Sequence, residues 1–405
     1  MVRRVSESVN YRVRSFVAVR RNQRRWREEG PHRGGRRVLL IESRVPHIAL
    51  GAGYPRSNLI VDELATLGYE VTLYPLLASV ESRRHAHRDV SQRVDIVLNY
   101  GWPRLESFLE ERGSLYDCTF VTRPHNMALV APFLERSGCR GLVYDCEALS
   151  PLRLARLREL RGEPIDTVDL SSLLMNELAP AHRSRCISAV SAEERQHIER
   201  VMAQPVYELG YACESRPTPM SFAGRRGFLF VGPLVDSPDS PNTDAVTWFL
   251  DEVLPLLRRS MGERAEVSIV GSCDDGVRRR LARPGVTFLG PAAGLLRAYD
   301  RARVFVAPTR FAAGLPLKVF EAAAHGLPIV STTMIANQVG WGAGMDLAVG
   351  GNAADFADRC VSLHDDPVLW RGMREQALSR IRNDCSRARF SAQLQRVLAE
   401  VVDRP

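Results

Sequence analysis

The segment RVFVAPTRFAAGLPLKVFEAAAHGLPIVST, residues 303–332, decides the fold. Its apolar run at 304–307 predicts a buried strand, the Pro- and Gly-bearing residues 308–316 predict a loop, and residues 317–325 predict a helix. A second apolar run at 329–331 follows a Gly turn. Two short apolar runs around a helix predict a βαβ unit of a parallel sheet, and such sheets bind ligands at the carboxyl ends of their strands.

The loop and the start of the following helix carry residues that suit a phosphate. Gly314 allows the backbone to approach a ligand, Arg310 and Lys318 supply positive charge, and the N–H groups of a helix start attract anions. Glu321, one turn into the helix, can accept hydrogen bonds from ribose hydroxyls. Lys318 is the only lysine among 55 basic residues, and its compact ammonium differs from a planar guanidinium in binding one phosphate oxygen. The combination predicts a site for a nucleotide diphosphate.

This spacing resembles a known family. Arg310-x-x-x-Gly314-x-x-x-Lys318-x-x-Glu321, followed by HGLPIV at 325–330, is similar to the donor-binding segment of retaining GT-B glycosyltransferases. The closest resemblance is to family 4, the glycosyl transferases group 1. The resemblance implies an α/β protein of the GT-B fold, in which two Rossmann-like domains face each other across a cleft.

The resemblance also implies a reaction. A sugar would move from a nucleotide-diphosphate sugar to an acceptor hydroxyl, with retention at the sugar carbon and without a metal or any other cofactor. Lys318 and Arg310 would stabilise the negative charge that grows on the departing diphosphate, and Glu321 would bind the ribose. These three are the expected catalytic residues. The expected donor-binding residues are Gly314, Leu315, Pro316, Lys318 and Glu321.

Two departures from the family leave alternatives open. Many members carry a Glu, which contacts the donor sugar, at the position of Ala313, eight residues before Glu321. Many also carry an Arg and a Lys after the strand that matches residues 227–231, whereas residues 233–242 contain no cation. The alternatives are a GT-B-like sugar-nucleotide epimerase and a degenerate, non-catalytic subunit that binds nucleotide.

The first half of the chain repeats the alternation of strands and helices. Apolar runs at 37–42, 95–98, 118–121 and 141–144 predict a doubly wound parallel sheet. Loops leave the carboxyl ends of these strands, and the resemblance implies that they form the acceptor side of the cleft. The residues expected there are Gly53, Arg56, His125, Asp145 and Glu147. A plain turn at Gly53 and helix capping by His125, Asp145 or Glu147 are the structural alternatives.

The chain of 405 residues is long enough for two or three domains. We expect a basic arm at 1–36, an N-terminal Rossmann-like domain on the acceptor side at 37–210, a linker at 211–226 and a C-terminal Rossmann-like domain on the donor side at 227–385. As the resemblance implies, a last helix at 386–405 would cross back to the first domain.

The net charge of +8 is concentrated at one end, because residues 1–37 hold twelve arginines against three glutamates. An arm that binds an anionic membrane surface and a loosely docked basic tail explain this equally well. Nucleic acid is not an expected partner, since the remainder of the chain shows no basic face. Eight scattered cysteines without zinc spacing predict reduced thiols in a cytoplasmic protein, at the inner face of the membrane if the arm binds it, and no metal site.

Overall fold

The computed structural model describes residues 36–291 and 295–402, so the predicted basic arm lies almost wholly outside the described residues. The first half of the chain contains a seven-stranded sheet in which all strands are parallel. The spatial order is β3-β2-β1-β4-β5-β6-β7. The strands are β1 Arg37–Glu42, β2 Glu70–Pro75, β3 Asp95–Ile96, β4 Cys118–Thr122, β5 Leu142–Asp145, β6 Cys186–Ala189 and β7 Val206–Glu208.

Helices connect these strands on both faces of the sheet. They are α1 Tyr54–Thr66, α2 Arg83–Ala86, α3 Leu105–Arg112, α4 Pro124–Leu134, α5 Ser150–Leu160, α6 Thr167–Leu178 and α7 Ala192–Glu199. The segment between β5 and β6 forms two helices, α5 and α6. Gly162 adopts a positive φ there, and Asp166 caps the second helix by accepting hydrogen bonds from Val168 N and Asp169 N at 2.8 Å.

A second parallel sheet follows, in the order β10-β9-β8-β11-β12-β13. Its strands are β8 Arg226–Val231, β9 Val267–Val270, β10 Val286–Phe288, β11 Ala302–Ala307, β12 Ile329–Ser331 and β13 Ala348–Val349. The helices are α8 Pro241–Trp248, α9 Leu254–Met261, α10 Asp275–Leu281, α11 Leu295–Arg301, α12 Leu317–Ala324, α13 Thr333–Val339, α14 Ala353–Asp365, α15 Pro367–Asp384 and α16 Arg387–Val402. A π-helical turn, Phe249–Val253, joins α8 to α9.

Both sheets have the architecture of a Rossmann-like domain. In each, the first strand of the unit lies in the middle, and the chain adds strands first on one side and then on the other. The points where the order reverses lie between β1 and β4 and between β8 and β11. Loops at the carboxyl ends of such neighbouring strands diverge and leave a crevice, which is where open α/β sheets bind ligands.

The βαβ unit predicted from residues 303–332 is present as β11, α12 and β12. Fully buried side chains at 304–307 explain the strand. The helix LKVFEAAA is rich in strong helix formers, and it ends where Gly326 adopts a φ of +70°. There Gly326 N donates to Ala323 O and Leu327 N donates to Ala322 O, so the last carbonyls are satisfied.

The last helix leaves the second domain and packs on the first. Side chains of α15 belong to an apolar cluster around β11 and β12, whereas those of α16 pack against the strands β4 to β7. The α16 residues in that first-domain core are Phe390, Leu394, Val397, Leu398 and Val401. In the part of the chain that the structure describes, no helix combines the length and apolarity needed to cross a bilayer.

Candidate functional site

The only lysine lies at the reversal point of the second sheet. Lys318 is in the first turn of α12, and its Nζ donates a hydrogen bond of 2.5 Å to Asn242 Oδ1 at the start of α8. The same nitrogen is 4.5 Å from the centroid of the Phe230 ring on β8. No carboxylate of the described residues forms an ion pair with it. Burial without a counter-charge disfavours the ammonium and lowers the pKa of Lys318 to about 7.

Arg310 already has an anionic partner. Its Nε donates to Asp244 Oδ2 at 2.9 Å, and its Nη2 donates to the other carboxylate oxygen. The guanidinium carbon lies 5.9 Å from the ring centroid of Trp248. Asp244 and Trp248 are both on α8, so this bidentate pair joins the loop after β11 to the helix after β8 and balances the charge of Arg310.

Glu321 lies one turn beyond Lys318 on α12. The phenol of Tyr299 donates to Glu321 Oε2 at 3.4 Å, and the Tyr299 ring stacks on His325 with centroids 4.7 Å apart. Burial raises the pKa of Glu321, while the bond from Tyr299 acts in the opposite direction. The carboxylate can accept hydrogen bonds from vicinal hydroxyls, as the sequence predicts for the ribose.

Gly314 lies where the loop touches the first domain. Its N–H donates to Glu194 Oε1 at 2.6 Å, and its carbonyl accepts from Gln338 Nε2 at 3.1 Å. Its φ is +78°, and a Cβ there would lie 3.0 Å from Glu147 O and 3.1 Å from the Cβ of Ala148. Both the backbone conformation and the close approach of the other domain therefore require glycine.

The residues just before Gly314 also contact the first domain. Arg156 on α5 donates to Ala312 O at 2.5 Å and to Glu193 Oε1 at 2.5 Å. Ala313 packs on the apolar cluster of the first domain. The position at which many family members carry a Glu is thus occupied by a small apolar residue at the contact between the domains.

The other two predicted donor-binding residues lead the loop into α12. Leu315 packs on the apolar cluster of the second domain. Pro316 is the residue that precedes the helix, and no side chain caps this end. The N–H groups of the first turn of α12 therefore have no side-chain acceptor at the N-cap position, and Lys318 lies in that same turn.

The first domain has a polar cluster at its own reversal point. Arg123, at the end of β4, donates from Nε to Glu42 Oε1 at 2.8 Å and forms an ion pair of 3.0 Å with Glu147. Its guanidinium carbon lies 4.2 Å from the ring centroid of Tyr54. The φ of Arg123 is +72°, a strained value for a residue with a side chain, and such strain occurs often at functional sites.

Two predicted cleft residues belong to this cluster. Gly53 precedes α1 with a φ of +82°, and a Cβ there would lie 1.2 Å from Glu147 Oε1. The carboxylate of Glu147 therefore occupies the space that any larger residue at position 53 would need. Burial raises the pKa of Glu147 to about 7, although Arg123 opposes the shift.

Arg56 and Asp145 were also expected in the cleft, whereas the structure buries them completely. The guanidinium of Arg56 donates to both carboxylate oxygens of Asp145, at 2.7 and 2.8 Å, and to the carbonyl of Leu209. Ser188 Oγ adds a bond of 2.5 Å to Asp145. The two residues are 1 % and 0 % exposed, so in this conformation they bind each other and hold β5, β6 and α1 together.

His125 is an exposed residue in the first turn of α4. Its Nε2 lies 2.9 Å from Ser43 Oγ, and burial together with the charge of Arg123 lowers the pKa of His125. It is next to the Arg123 cluster but does not bond to Glu147. The imidazole is therefore available to a ligand at the rim of this cluster.

The structure thus brings the predicted residues into two groups that meet at Gly314. The donor group contains Lys318 and Glu321, and the acceptor group contains Gly53 and Glu147. Sequence reasoning did not select the partners that hold these groups in place. They are Glu42, Arg123, Glu194, Asn242 and Asp244.

Comparisons with known proteins agree with this architecture. Residues 225–366, about a third of the chain, match the family model described as Glycosyl transferases group 1. A search of curated proteins finds no significant match. The matched residues include Lys318 and Glu321 of the donor group, together with Asn242, which accepts the hydrogen bond from Lys318.

Solved structures share the fold of about nine tenths of the chain. Sucrose-phosphate synthase from Thermosynechococcus elongatus is 13% identical, with 91% of this chain and 100% of that chain covered and a TM-score of 0.66. HepE of Anabaena in complex with UDP and glucose is 13% identical, with 89% and 99% covered and a TM-score of 0.65. TarM is 8% identical, with 90% and 99% covered and a TM-score of 0.70.

These likenesses confirm the predicted fold class. The chain has the GT-B architecture of glycosyltransferases, with two parallel-sheet α/β domains. Within it, the second domain carries the Glycosyl transferases group 1 segment.

Proposed function

We propose that this chain is a glycosyltransferase that moves a sugar from a nucleotide-diphosphate sugar to an acceptor hydroxyl. One observation carries the proposal. Lys318 is a half-buried ammonium without a carboxylate partner among the described residues, in the first turn of a helix at the reversal point of its sheet. A buried cation without a counter-ion is unfavourable unless an anionic ligand supplies the missing charge. A diphosphate supplies it.

The roles of the donor group follow from its geometry. The diphosphate binds at the start of α12, where Lys318 and the positive end of the helix dipole stabilise its negative charge. Glu321, one turn further on, binds the ribose hydroxyls beside Tyr299. Arg310 is held by Asp244 through its Nε and Nη2. It therefore positions the loop, and its Nη1 can donate to the diphosphate. The family match to residues 225–366 supports this assignment.

The reaction proceeds with retention in this proposal. The bond between the anomeric carbon and the diphosphate oxygen breaks, and its electron pair stays on the diphosphate. The acceptor oxygen bonds to the same face of the sugar, and its proton passes to the departing diphosphate. Lys318 stabilises the charge on that leaving group, so this step uses no metal ion. Contact between the domains around Gly314 excludes water from the reacting centre.

Glu147 is the residue best placed on the acceptor side. Its carboxylate lies beside Gly53 and forms an ion pair with Arg123. Arg123 and Glu147 follow the neighbouring strands β4 and β5. The backbone carbonyl of Glu147 is beside Gly314 of the donor loop. We assign to Glu147 the orientation of the acceptor hydroxyl, with His125 at the rim of the same cluster.

A donor panel tests the proposal. Sugars linked to UDP, GDP, dTDP and ADP are compared for thermal stabilisation of the protein, beginning with UDP-glucose because HepE has a structure in complex with it. Nucleotide release is then measured with hydroxyl acceptors, and the configuration of the product is determined by NMR.

The outcomes separate the alternatives. Acceptor-dependent release of nucleotide, without added divalent metal, supports glycosyl transfer. Conversion of the donor into a second nucleotide sugar without an acceptor would identify an epimerase instead. Binding without any turnover across the panel would identify a non-catalytic nucleotide-binding subunit.

A further inference from the structure

Outside the Lys318 and Arg123 groups, two loops of the first domain bring three metal-ligating side chains together. His47 follows β1, Glu81 follows β2, and His85 is in the short helix α2. Glu81 Oε2 lies 2.8 Å from His47 Nε2 and 3.6 Å from His85 Nε2. One ligand atom from each residue lies within 4.8 Å of the other two.

His47 and Glu81 are held by hydrogen-bond partners of the kind found around metal ligands. The second nitrogen of His47, Nδ1, lies 3.0 Å from Asp89 Oδ2. The second oxygen of Glu81 accepts a hydrogen bond of 2.6 Å from Ser79 Oγ. Metal-binding histidines usually donate their other N–H to a carboxylate, which fixes the tautomer and the ring orientation, and metal-binding carboxylates are themselves hydrogen-bonded.

The surroundings also fix the two loops relative to each other. Asn58 Nδ2 on α1 donates to Pro46 O at 3.1 Å and to Asp89 O at 3.0 Å. The side chains of His47 and Glu81 are 11% and 19% exposed, and that of His85 is 52% exposed. The cluster therefore has a buried, immobilised base and an open side through which an ion can enter.

We propose that His47, Glu81 and His85 bind a divalent transition-metal ion, with Zn²⁺ the best match and the fourth position open to water. Tetrahedral zinc with ligand bonds of 2.0–2.1 Å separates its ligand atoms by about 3.4 Å, which is close to the 2.8 and 3.6 Å that separate Glu81 Oε2 from the two histidine nitrogens. Two imidazoles favour zinc over magnesium or calcium, which prefer oxygen ligands. The charges of Glu81 and Asp89 balance a divalent ion.

Hydrogen bonding at His47 is compatible with a bound ion. Carboxylate oxygens face both ring nitrogens of His47. A metal on Nε2 allows Nδ1–H to bond Asp89 and uses Glu81 as a ligand. The ion would join the loop that leads to Gly53 with the loop after β2.

The test measures binding of the metal itself by the full-length chain after treatment with a chelator. Zinc affinity is determined by competition with a chromophoric indicator, and Co²⁺ is used as a spectroscopic probe. We expect one ion per chain and intense visible bands typical of tetrahedral cobalt. His85→Gln, at a half-exposed position that does not endanger folding, is expected to weaken zinc binding about 100-fold and to abolish those bands.

Two further variants sharpen the result. Asp89→Asn leaves all three ligands in place and removes only the carboxylate that accepts from His47 Nδ1. It is expected to weaken zinc binding about 10- to 100-fold. An ion bound adventitiously at the surface would not respond to this change. His87→Gln is the matched control, because His87 bonds to the carbonyl of Ser91 instead of to this cluster; it is expected to bind as the wild type does.

Equal zinc affinity for the wild type, His85→Gln and His87→Gln would overturn the proposal. So would an octahedral cobalt spectrum that His85→Gln leaves unchanged, since the ion would then be bound elsewhere. In either case the three side chains would form only a polar contact between the two loops. The thermal midpoint of each metal-free variant verifies that it is folded, and none of these measurements depends on the sugar-transfer activity.

Discussion

Lys318 is a residue whose surroundings disfavour the charge on which its proposed role depends. Its partners are the neutral oxygen of Asn242 and the face of Phe230, and burial lowers its pKa to about 7. A site of this kind is incomplete without an anion. The residue therefore has more effect on ligand binding than an exposed arginine, whose charge is screened by solvent.

Replacing Lys318 with methionine tests this role. Lys318→Met keeps a side chain of similar length but removes the charge, and we expect kcat to fall about 100- to 1,000-fold because one preorganised donor to the leaving group is lost. The exposed Arg297 on α11 provides the control, since Arg297→Met also removes one cation and is expected to retain activity. Steady-state kinetics with the donor found in the panel measures both. Equal activity of Lys318→Met and the wild type would refute the assignment.

Donor binding is also expected to depend on pH with a defined sign. The Lys318 ammonium predominates below pH 7 and is lost above it in the free protein, whereas a bound diphosphate favours the charged form. At pH 8 binding should therefore take up close to one proton, and affinity should fall as the pH rises above 7.

The proton uptake is measured by titration calorimetry in two buffers with different ionisation enthalpies. A nucleotide sugar is used because its diphosphate does not titrate near neutrality. The uptake should be absent at pH 5.5 and absent at both pH values in Lys318→Met. Uptake of the same size in that variant would assign the proton to another group.

Arg56 and Asp145 are expected to act on stability. Removal of one member of a buried pair leaves the other charge without compensation, so Arg56→Met should lower the free energy of unfolding by about 3–5 kcal/mol. The double variant Arg56→Met/Asp145→Leu should be more stable than the single one. The exposed pair Arg195–Glu199 is the control, and Arg195→Met should cost less than about 1 kcal/mol. Urea unfolding measures the stability of all three variants. If Arg56→Met lowers the free energy of unfolding only slightly, the pair is not a stabilising one and Arg56 is again a candidate ligand contact.

At the scale of elements, the loop 308–316 connects the two domains. It is held on the second domain by Arg310 and Asp244, and on the first by Arg156, Glu194 and the packing of Ala313. The same loop leads directly into α12, which carries Lys318. Any change in the contact between the domains is thereby transmitted to the start of the helix that binds the diphosphate.

Gly314→Ala tests the loop. A Cβ at this position meets Glu147 O at 3.0 Å, in addition to the strain of a φ of +78°. Gly340→Ala is a matched control, because its φ is +68° and no atom lies within 4 Å of the added Cβ. Each substitution should cost about 1–2 kcal/mol of stability from backbone strain. Only Gly314→Ala should also reduce kcat/KM, about tenfold or more; an equal effect of both variants would show that strain alone matters.

Local patterns predicted most of the elements but not their contacts. Apolar runs identified β1, β8, β11 and β12 because buried parallel strands lack polar positions. The two-residue strand β13 and the short helices α10 and α13 were missed, since none is long enough to show a period.

The site could be predicted only in part, because a local pattern does not indicate which distant residues the folded chain brings into contact. Lys318, Gly314 and Glu321 lie in one segment with a recognisable spacing. Asn242 and Glu194, which bond to the first two, lie 76 and 120 residues upstream, and only the folded chain brings them into contact. The cluster of His47, Glu81 and His85 has no zinc-like spacing either, so the sequence indicated no metal site.

At the scale of the whole molecule, the charge of the chain is concentrated outside the residues that the structure describes. Residues 1–37 carry twelve arginines, while the remainder is close to neutral. We propose that this arm holds the enzyme at an anionic membrane surface, in the cytoplasm, where a lipid-linked acceptor would be accessible.

Deletion of residues 1–36 tests the arm. The full-length chain should bind vesicles that contain phosphatidylserine and should dissociate as salt is added, because the attraction is electrostatic. The deletion variant should not sediment with those vesicles, and neither protein should bind neutral phosphatidylcholine vesicles. Donor binding should be the same in both proteins. Undiminished sedimentation of the deletion variant would remove the membrane assignment.

The position of α16 has a consequence for how the protein is made. Phe390, Leu394 and Val397 belong to the core of the domain that is synthesised first. While the ribosome translates the second domain, the apolar surface of β4 to β7 lacks the helix that covers it. The first domain therefore stays incompletely packed until α16 has been translated, and in the cell a chaperone that shields this surface would increase the yield of native protein.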